Sequence, residues 1–405
     1  MYKIIVLQQH YFPEMAGVAR RAKELSEQFI KSGHSVTVYT TFPRDFRSMP
    51  GFNAKRKEVL NGVKIIRSKS IFNVGKNTIF RMLSYFFYVI NCILHITVNR
   101  NKYDMILSMA PLPPAIAGAF ANKFYGKYHH FDVPDILPDL GISAGMIKNK
   151  TLIKILYLIE KWVYKNSNSI SAVTHGQINN IINKGVDSSK LSYIPDWINV
   201  DFFNKNLKKY KADIINKHKY NDKFIISFVG NVGALQNPEI FLHIMKGLKE
   251  SGYNNLHFLY IGDGILLDRL KKQVKQLKIS NVEFIGRIER KYVPSYMNIS
   301  NVLVANYLPN DYLDICIPGK LFEYAISNKP IIMGSKGEAK NLIKKYNLGV
   351  SVEPSSIDEF KEAIINFSNN EYIHTPDLKS FLSFFSLDNI SQKYENILSQ
   401  IKNSR

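Results

Sequence analysis

Short apolar runs that end in glycine or proline loops alternate with amphipathic stretches, and this alternation starts twice in one chain. The first array opens with Lys3–Leu7, a loop over Gln8–Val18, a helical pattern over Ala19–Lys31 and a second apolar run at Ser35–Thr40. The second opens with Phe224–Val229, the turn Gly230-Asn231-Val232-Gly233, a helical pattern over Pro238–Ser251, and a run at Leu256–Ile261 that ends in Gly262-Asp263-Gly264. Strand, loop, helix and strand in that order predict a parallel sheet, since parallel neighbours need a long crossover. The chain is therefore read as α/β, with two Rossmann-like parallel-sheet domains facing each other across a cleft. A length of 405 residues agrees with two domains rather than one. The break at Pro195-Asp196-Trp197 and the polar, Lys-rich stretch behind it set the boundaries: a domain over 1–198, a linker over 199–222 and a second domain over 223–375. Residues 376–405 carry Phe381, Phe384, Phe385, Ile390, Tyr394 and Ile397, and are expected to form a helical segment that packs back on the first domain.

Open parallel sheets bind ligands beyond the C-terminal ends of their strands. In the second half, Pro318 and Gly319 break an apolar run and Lys320–Ser327 reads as a helix. Such a helix start offers free N–H groups and a positive dipole end to an anion. Lys320 adds a full charge there, and Glu323, one turn further in, offers a carboxylate to sugar hydroxyls. In the first half, Gly17 would let the backbone approach a ligand, and Arg20 and Arg21 open the following helix. His129, His130, Asp132, Asp135 and Asp139 gather where the run Lys127–Asp132 ends. A carboxylate there can orient an acceptor hydroxyl or take its proton. His129 and His130 point to opposite faces of a strand, which speaks against a shared metal ion. Plainer readings stand beside these: a solvated helix entry for Lys320 and Glu323, helix caps for Asp135 and Asp139, and a hydrogen-bonded core histidine for His130.

Composition narrows the partners. Lys and Arg number 54 against 33 Asp and Glu, a formal charge of +21 that favours anionic partners. No block of basic residues interleaved with aromatics marks a nucleic-acid footprint, so no nucleic acid is expected. Two cysteines, Cys92 and Cys316, exclude a disulfide framework and a cysteine metal site. The N-terminal apolar run is too short for a signal peptide and reads as a first strand. No GxGxxG or GK[ST] motif is present, which disfavours NAD binding and ATP hydrolysis. The most apolar stretch, Ile79–Val98, gathers Arg81, Ser84, Tyr88, Asn91 and His95 on one narrow stripe, flanked by Lys76, Arg100 and Lys102. It reads either as a core helix or as one lying in the interface of an anionic membrane. Oligomeric state is not legible.

Six segments, in order and at matching spacing, resemble glycosyltransferase family 4, the retaining enzymes of the GT-B fold. HYFPEMAGVARRAKELSEQFIKSGHSVTVYTTFP is similar to the family's opening, and VPDILPD to the branch motif RDLWPD, which sets Asp135 and Asp139 on its acids. YIPDWINVDFF resembles the boundary motif IPNWVDxxxF. SFVGNVGALQNPE and IGDG resemble the two glycine turns of the nucleotide domain. IPGKLFEYAISNKPII resembles PSKLFEYLAAGKPVI. The nearest branch builds bacterial O-antigen, capsule and colanic-acid repeats, and includes N-acetylfucosaminyl transferases. The chain departs from the family at three places: Ile315 takes the first of two glutamates, Asn231 and Gln236 stand where Arg and Lys are usual, and Pro134 replaces the branch arginine.

The resemblance implies transfer of a sugar, such as an N-acetylated deoxyhexose, from a nucleotide diphosphate to a polyprenyl-diphosphate-linked saccharide, with UDP the expected nucleotide. Alternatives are a nucleotide-sugar-binding protein without catalysis and a nucleotide-sugar epimerase of the same fold. The expected catalytic residues are Asp135, Lys320 and Glu323. Donor contacts are expected from Gly17, Gly230, Asn231, Gly233, Gly262, Gly264, Arg287, Pro318, Gly319, Lys320 and Glu323. The acceptor side is assigned to His130, Asp132, Asp135 and Asp139. No metal or other cofactor is expected, and the implied location is the cytoplasmic face of the bacterial inner membrane, as a peripheral protein.

Overall fold

The computed structural model describes residues 1–14, 17–43, 52–68 and 78–403. The chain forms two compact units, Met1–Pro195 with Asp388–Arg405, and Asp196–Leu387. The first holds β1 (Lys3–Leu7), β2 (Ser35–Thr41), β3 (Lys57–Leu60), β4 (Val63–Ser68), β5 (Met105–Met109), β6 (Tyr128–Val133), β7 (Ser169–Ala172) and β8 (Leu191–Tyr193). They form one sheet in the order β3-β4-β2-β1-β5-β6-β7-β8, parallel throughout except for β3, which runs antiparallel to β4. The second unit holds β9 (Phe224–Val229), β10 (Leu256–Ile261), β11 (Val282–Gly286), β12 (Val302–Asn306), β13 (Ile331–Gly334) and β14 (Gly349–Val352). Its sheet is parallel, in the order β11-β10-β9-β12-β13-β14. This is the doubly wound order, which reverses direction between β9 and β12 and, in the first unit, between β1 and β5.

Helices cover both faces of the second sheet, so its strands are buried on both sides and read as unbroken apolar runs. Along β9, Ile225 and Val229 enter one core while Ile226 and Phe228 enter the other. β3 and β14 escaped the sequence reading. β3 is an edge strand whose residues alternate between exposed and half-buried, and β14 is a four-residue edge strand, mostly half-buried.

Two expectations are corrected. Residues 199–222 are not a linker. They contain helices Val200–Leu207 and Lys211–His218, whose Phe203 and Ile214 are buried in the core of the second unit. So few apolar residues in a Lys-rich stretch leave no visible period. The tail is not one segment. Its first helix, Leu378–Phe385, packs Phe381 and Phe385 on Phe322 and Tyr346 of the second unit. Its second, Leu387–Asn403, belongs to the first unit from Asp388 on.

That last helix is held by a buried polar cluster. The Arg21 guanidinium grips both oxygens of Asp132 at 2.8 and 3.0 Å. Tyr394 accepts from Arg21 and donates to Asp132, each at 3.0 Å, and Ser171 donates to the same carboxylate at 2.9 Å. His130 lies between Ser169 and Ser171 at 2.8 and 3.0 Å. Burial raises the Asp132 pKa, but the Arg21 charge and these hydrogen bonds outweigh it, so the carboxyl stays ionised. Tyr394→Phe is expected to cost about 1–2 kcal/mol, since it leaves two buried partners one bond short. The denaturant midpoint checks this, with an unchanged slope.

The helix Thr78–Asn99 turns its polar stripe inward. Tyr88 donates to the Tyr39 carbonyl at 2.8 Å, His95 stacks on Tyr39 at 4.5 Å, and Gln9 donates to Ser84 at 3.3 Å. Cys92 and Ile96 complete the buried side. Phe86, Leu94 and Val98 face outward, 60%, 58% and 82% exposed. One side of this stretch is thus core, and the other is an exposed apolar face. Lys76 and the Arg81 side chain lie outside the described residues.

Candidate functional site

In the second unit, β9 and β12 pair only through Val302–Ile226 and Leu303–Ser227, then part towards their C-terminal ends. The Tyr324 hydroxyl fills the gap. It accepts from the Val229 N–H at 2.8 Å and lies 3.1 and 3.3 Å from the carbonyls of Val229 and Val304. Tyr324 thereby pins its helix, Gly319–Ile326, onto the point where the strand order reverses. Side chains on a helix lean towards its N-terminus, so Lys320, one turn earlier, reaches back over the strand ends.

The Lys320 Nζ sits 4.0 Å from the Phe228 ring centre and 5.8 Å from that of Tyr307. A side chain on Gly230 would meet it at 3.5 Å. The residue is half-buried overall, but its Nζ is buried and has no hydrogen-bond partner among the described residues. Burial pushes its pKa down to about 7, against an upward pull from Glu323. Pro318 precedes the helix in an extended conformation, and no side chain caps the first turn. Free N–H groups, a dipole end and an unpaired ammonium converge there, an arrangement that can hold a diphosphate.

The other residues assigned to the donor are placed as follows. Glu323 lies 3.9 Å from Arg290, whose guanidinium also covers the Phe202 ring at 4.7 Å. Arg290 was not singled out from the sequence; Arg287 is exposed after β11. Gly262 and Gly264 make room for the neighbouring loop: a side chain on Gly262 would stand 2.0 Å from the Gly230 carbonyl oxygen, and one on Gly264 2.3 Å from that of Val232. The two loops pair through Gly230 N–H to Ile261 O at 2.8 Å and Val232 N–H to Asp263 O at 2.9 Å. These two glycines pack loop on loop. Asn231 is exposed, and the Gly233 N–H donates to Gln236 Oε1 at 3.1 Å. A side chain on Gly319 would lie 3.2 Å from Asp196, so this helix entry is narrow.

In the first unit, Asp135 lies half-buried in the loop after β6. His130, Asp132 and Asp139, also assigned to the acceptor, belong to bonded networks. His130 and Asp132 sit in the cluster around Arg21, buried rather than facing a ligand. Asp139 accepts from Tyr157 at 2.9 Å and Asn180 at 3.1 Å, and pairs with Lys184 at 2.9 Å. Gly17 opens the helix Gly17–Lys31, with nothing within 4 Å of where a side chain would begin. The loop after β1 is unexpectedly buried: Gln8, Gln9, His10 and Glu14 are all inside, with His10 and Glu14 3.1 Å apart. Their i,i+4 spacing ahead of a glycine was the available signal. Among the described residues, no three His, Cys, Asp or Glu side chains form a group that could hold a metal ion.

Comparisons with known proteins follow this division. Residues 15–202 match the family described as Glycosyltransferase Family 4, and residues 210–380 match Glycosyl transferases group 1. WcaI of Escherichia coli (strain K12), named for colanic acid biosynthesis glycosyl transfer, is 24% identical over 88% of this chain and 89% of its own. An Escherichia coli UDP-Gal:alpha-D-GlcNAc-diphosphoundecaprenol alpha-1,3-galactosyltransferase is 22% identical over 69% of this chain and 70% of its own. Among solved structures, a sucrose-phosphate synthase from Thermosynechococcus elongatus superposes with a TM-score of 0.80 at 13% identity, covering 100% of both chains. With matched segments in both units and this fold, the chain belongs to the group 1/family 4 glycosyltransferases of the GT-B fold.

Proposed function

We propose that this protein is a retaining transferase that moves a sugar from UDP to a lipid-linked saccharide during bacterial surface-polysaccharide assembly. The observation that carries this reading is the buried Lys320 Nζ, without a hydrogen-bond partner among the described residues, beside Gly230 and the uncapped start of the Gly319–Ile326 helix. Departure of the diphosphate is the demanding step, and a fixed charge and fixed N–H groups stabilise it most where water is excluded. Glu323 takes the ribose hydroxyls, and Asp135 orients the acceptor hydroxyl. UDP and a diphospho-undecaprenol acceptor are supported by the name of the galactosyltransferase relative. An N-acetylated deoxyhexose such as N-acetylfucosamine remains the proposed sugar on the resemblance alone.

The exposed side of the Thr78–Asn99 helix supports a peripheral position on the cytoplasmic face of the inner membrane. Helices Leu112–Tyr125 and Lys150–Lys165 lie beside it in a row and expose Phe124, Ile155 and Leu158. Met82–Lys102 is long and apolar enough to cross a bilayer by composition, yet Tyr88, Cys92 and Ile96 are built into the unit's core. A helix so anchored rests on the membrane with its outer face. Phe86→Ser with Leu94→Ser is expected to lower flotation with anionic vesicles roughly tenfold or more, without loss of the fold. Unchanged flotation would remove the membrane from this reading.

The donor half is tested by thermal shift with UDP-, GDP- and dTDP-sugars, followed by UDP release in the presence of membrane extract. Stabilisation by a UDP-sugar and acceptor-dependent UDP release are expected. Conversion of the nucleotide sugar with no acceptor present would replace transfer by epimerisation.

A further inference from the structure

A groove of about 990 Å³ lies under the inward side of the Thr78–Asn99 helix, over β2 and β4, and reaches the first residues of β1 and β2. In the sheet order, β1 and β5 separate it from the strand that leads to Asp135. No residue assigned above to donor or acceptor lines it. Its floor is polar, with Thr37, Tyr39 and Ser68, and its helical wall presents Asn91, His95 and Asn99. Lys3, Arg56, Lys57, Lys64 and Lys102 line it as well, all exposed, and none has a side-chain carboxylate partner among the described residues. A sixth cation, Arg67, is committed to Glu58. No Asp or Glu is among the lining residues.

Five unpaired cations around a hydroxyl- and amide-lined hollow make a field of one sign, and low-dielectric walls focus it. His95 registers that field. Burial first, then the charges of Lys102 and Lys57, hold its pKa down to about 4, so it stays neutral, with its Nε2 3.1 Å from the Tyr103 hydroxyl. The volume falls in the range of small-molecule sites, and the lining is far more polar than an apolar ligand would need. Phosphate groups suit it: several lysines each meet an oxygen as a point charge, and Asn, Ser, Thr and Tyr take neighbouring hydroxyls.

We propose that this groove is a second anion site, which binds a phosphate-bearing, hydroxyl-rich group. The source favoured by the structure is lipid-borne: the wall that holds Asn91 and His95 is the same helix that exposes Phe86, Leu94 and Val98 outward. A headgroup in the groove would then belong to a lipid whose chains lie along that exposed face. The lipid source rests on the membrane reading above, but the anion site does not. The same chemistry in a soluble phosphate is the alternative source.

The test compares three variants of the full chain, all at exposed residues: Lys57→Glu/Lys64→Glu/Lys102→Glu in the groove, Lys271→Glu/Lys272→Glu/Lys275→Glu in the second unit, and Phe86→Ser/Leu94→Ser. The two charge variants change net charge equally, and circular dichroism confirms the fold. One arm titrates inorganic pyrophosphate by calorimetry with UDP saturating, so that the donor site is occupied. The other measures flotation with phosphatidylcholine vesicles with and without phosphatidylglycerol. The groove variant is expected to weaken both pyrophosphate binding and phosphatidylglycerol-dependent flotation at least tenfold, with less than twofold change in the second-unit variant. Loss of pyrophosphate binding with normal flotation supports the site and assigns it a soluble ligand. Phe86→Ser/Leu94→Ser reports on the membrane reading separately, since it should lose flotation and keep pyrophosphate binding. Equal effects in the two charge variants, or no effect of the groove variant in either arm, would overturn the proposal.

Discussion

Lys320→Met is expected to lower the rate of UDP release in sugar transfer roughly 10²-fold, about 2–3 kcal/mol in barrier, while making the protein more stable. The two effects have one cause. The ammonium is buried beside Phe228 and Gly230 with no hydrogen-bond partner among the described residues. An ordinary structural lysine would lose stability on truncation. One held uncompensated for an anion should do the opposite, because methionine fills the same space without a charge to desolvate. The pH dependence follows. Burial brings the Lys320 pKa down to about 7 from its ordinary 10.5. Between those values the unfolded chain holds a proton that the folded chain lacks, so stability rises with pH across that window. The deficit is full below about pH 7. The methionine variant should therefore gain on the order of a few kcal/mol at neutral pH and lose this advantage towards pH 10. Donor affinity of the wild type should fall above pH 7, since the diphosphate prefers the charged lysine and binding must then take up a proton. Melting curves across pH and UDP titrations at pH 6.5 and 8.5 check both. Unchanged turnover and a destabilised variant would return Lys320 to a packing role.

Asp135→Asn is expected to reduce transfer about 10²–10⁴-fold and leave UDP affinity unaltered. The family resemblance sets this carboxylate on the acceptor side, and the surroundings of the other two candidates agree with it. Asp132 spends both oxygens on Arg21, Tyr394 and Ser171 inside the first unit, and Asp139 is taken up by Tyr157, Asn180 and Lys184. Asp135 alone of the three is in the loop that leaves β6, half-buried at the strand's C-terminal end. Asparagine keeps the size and one carbonyl oxygen but cannot take a proton or hold an anionic charge. If UDP affinity falls with turnover, Asp135 serves the donor instead.

The two parallel sheets were legible because both arrays carry unbroken apolar strands joined by amphipathic helices, and burial on both faces requires such runs. The helix entry at Lys320 was legible for a local reason: Pro318-Gly319 breaks the preceding run. Three things were not legible. The stretch 199–222 hides two helices, because Phe203 and Ile214 are the few anchors among lysines and asparagines. The close packing of Gly262 and Gly264 on another loop was not legible, because the chain cannot say which backbone lies beside them. Arg290 lies 3.9 Å from Glu323, a neighbour that nothing in its local sequence marks.

By itself the sequence determined the alternation of strand and helix, the two starting points and the helix entry at Lys320, since each depends on neighbours a few residues apart. The tertiary structure alone decided which charged groups are spent and which stay open. Asp132 and Lys320 are both buried charges near strand ends, but Asp132 meets Arg21 from another element, whereas the Lys320 Nζ lies beside aromatic rings and a glycine with no hydrogen-bond partner among the described residues. Whether a buried charge has a partner is settled by residues from other elements, and local pattern carries no information about them.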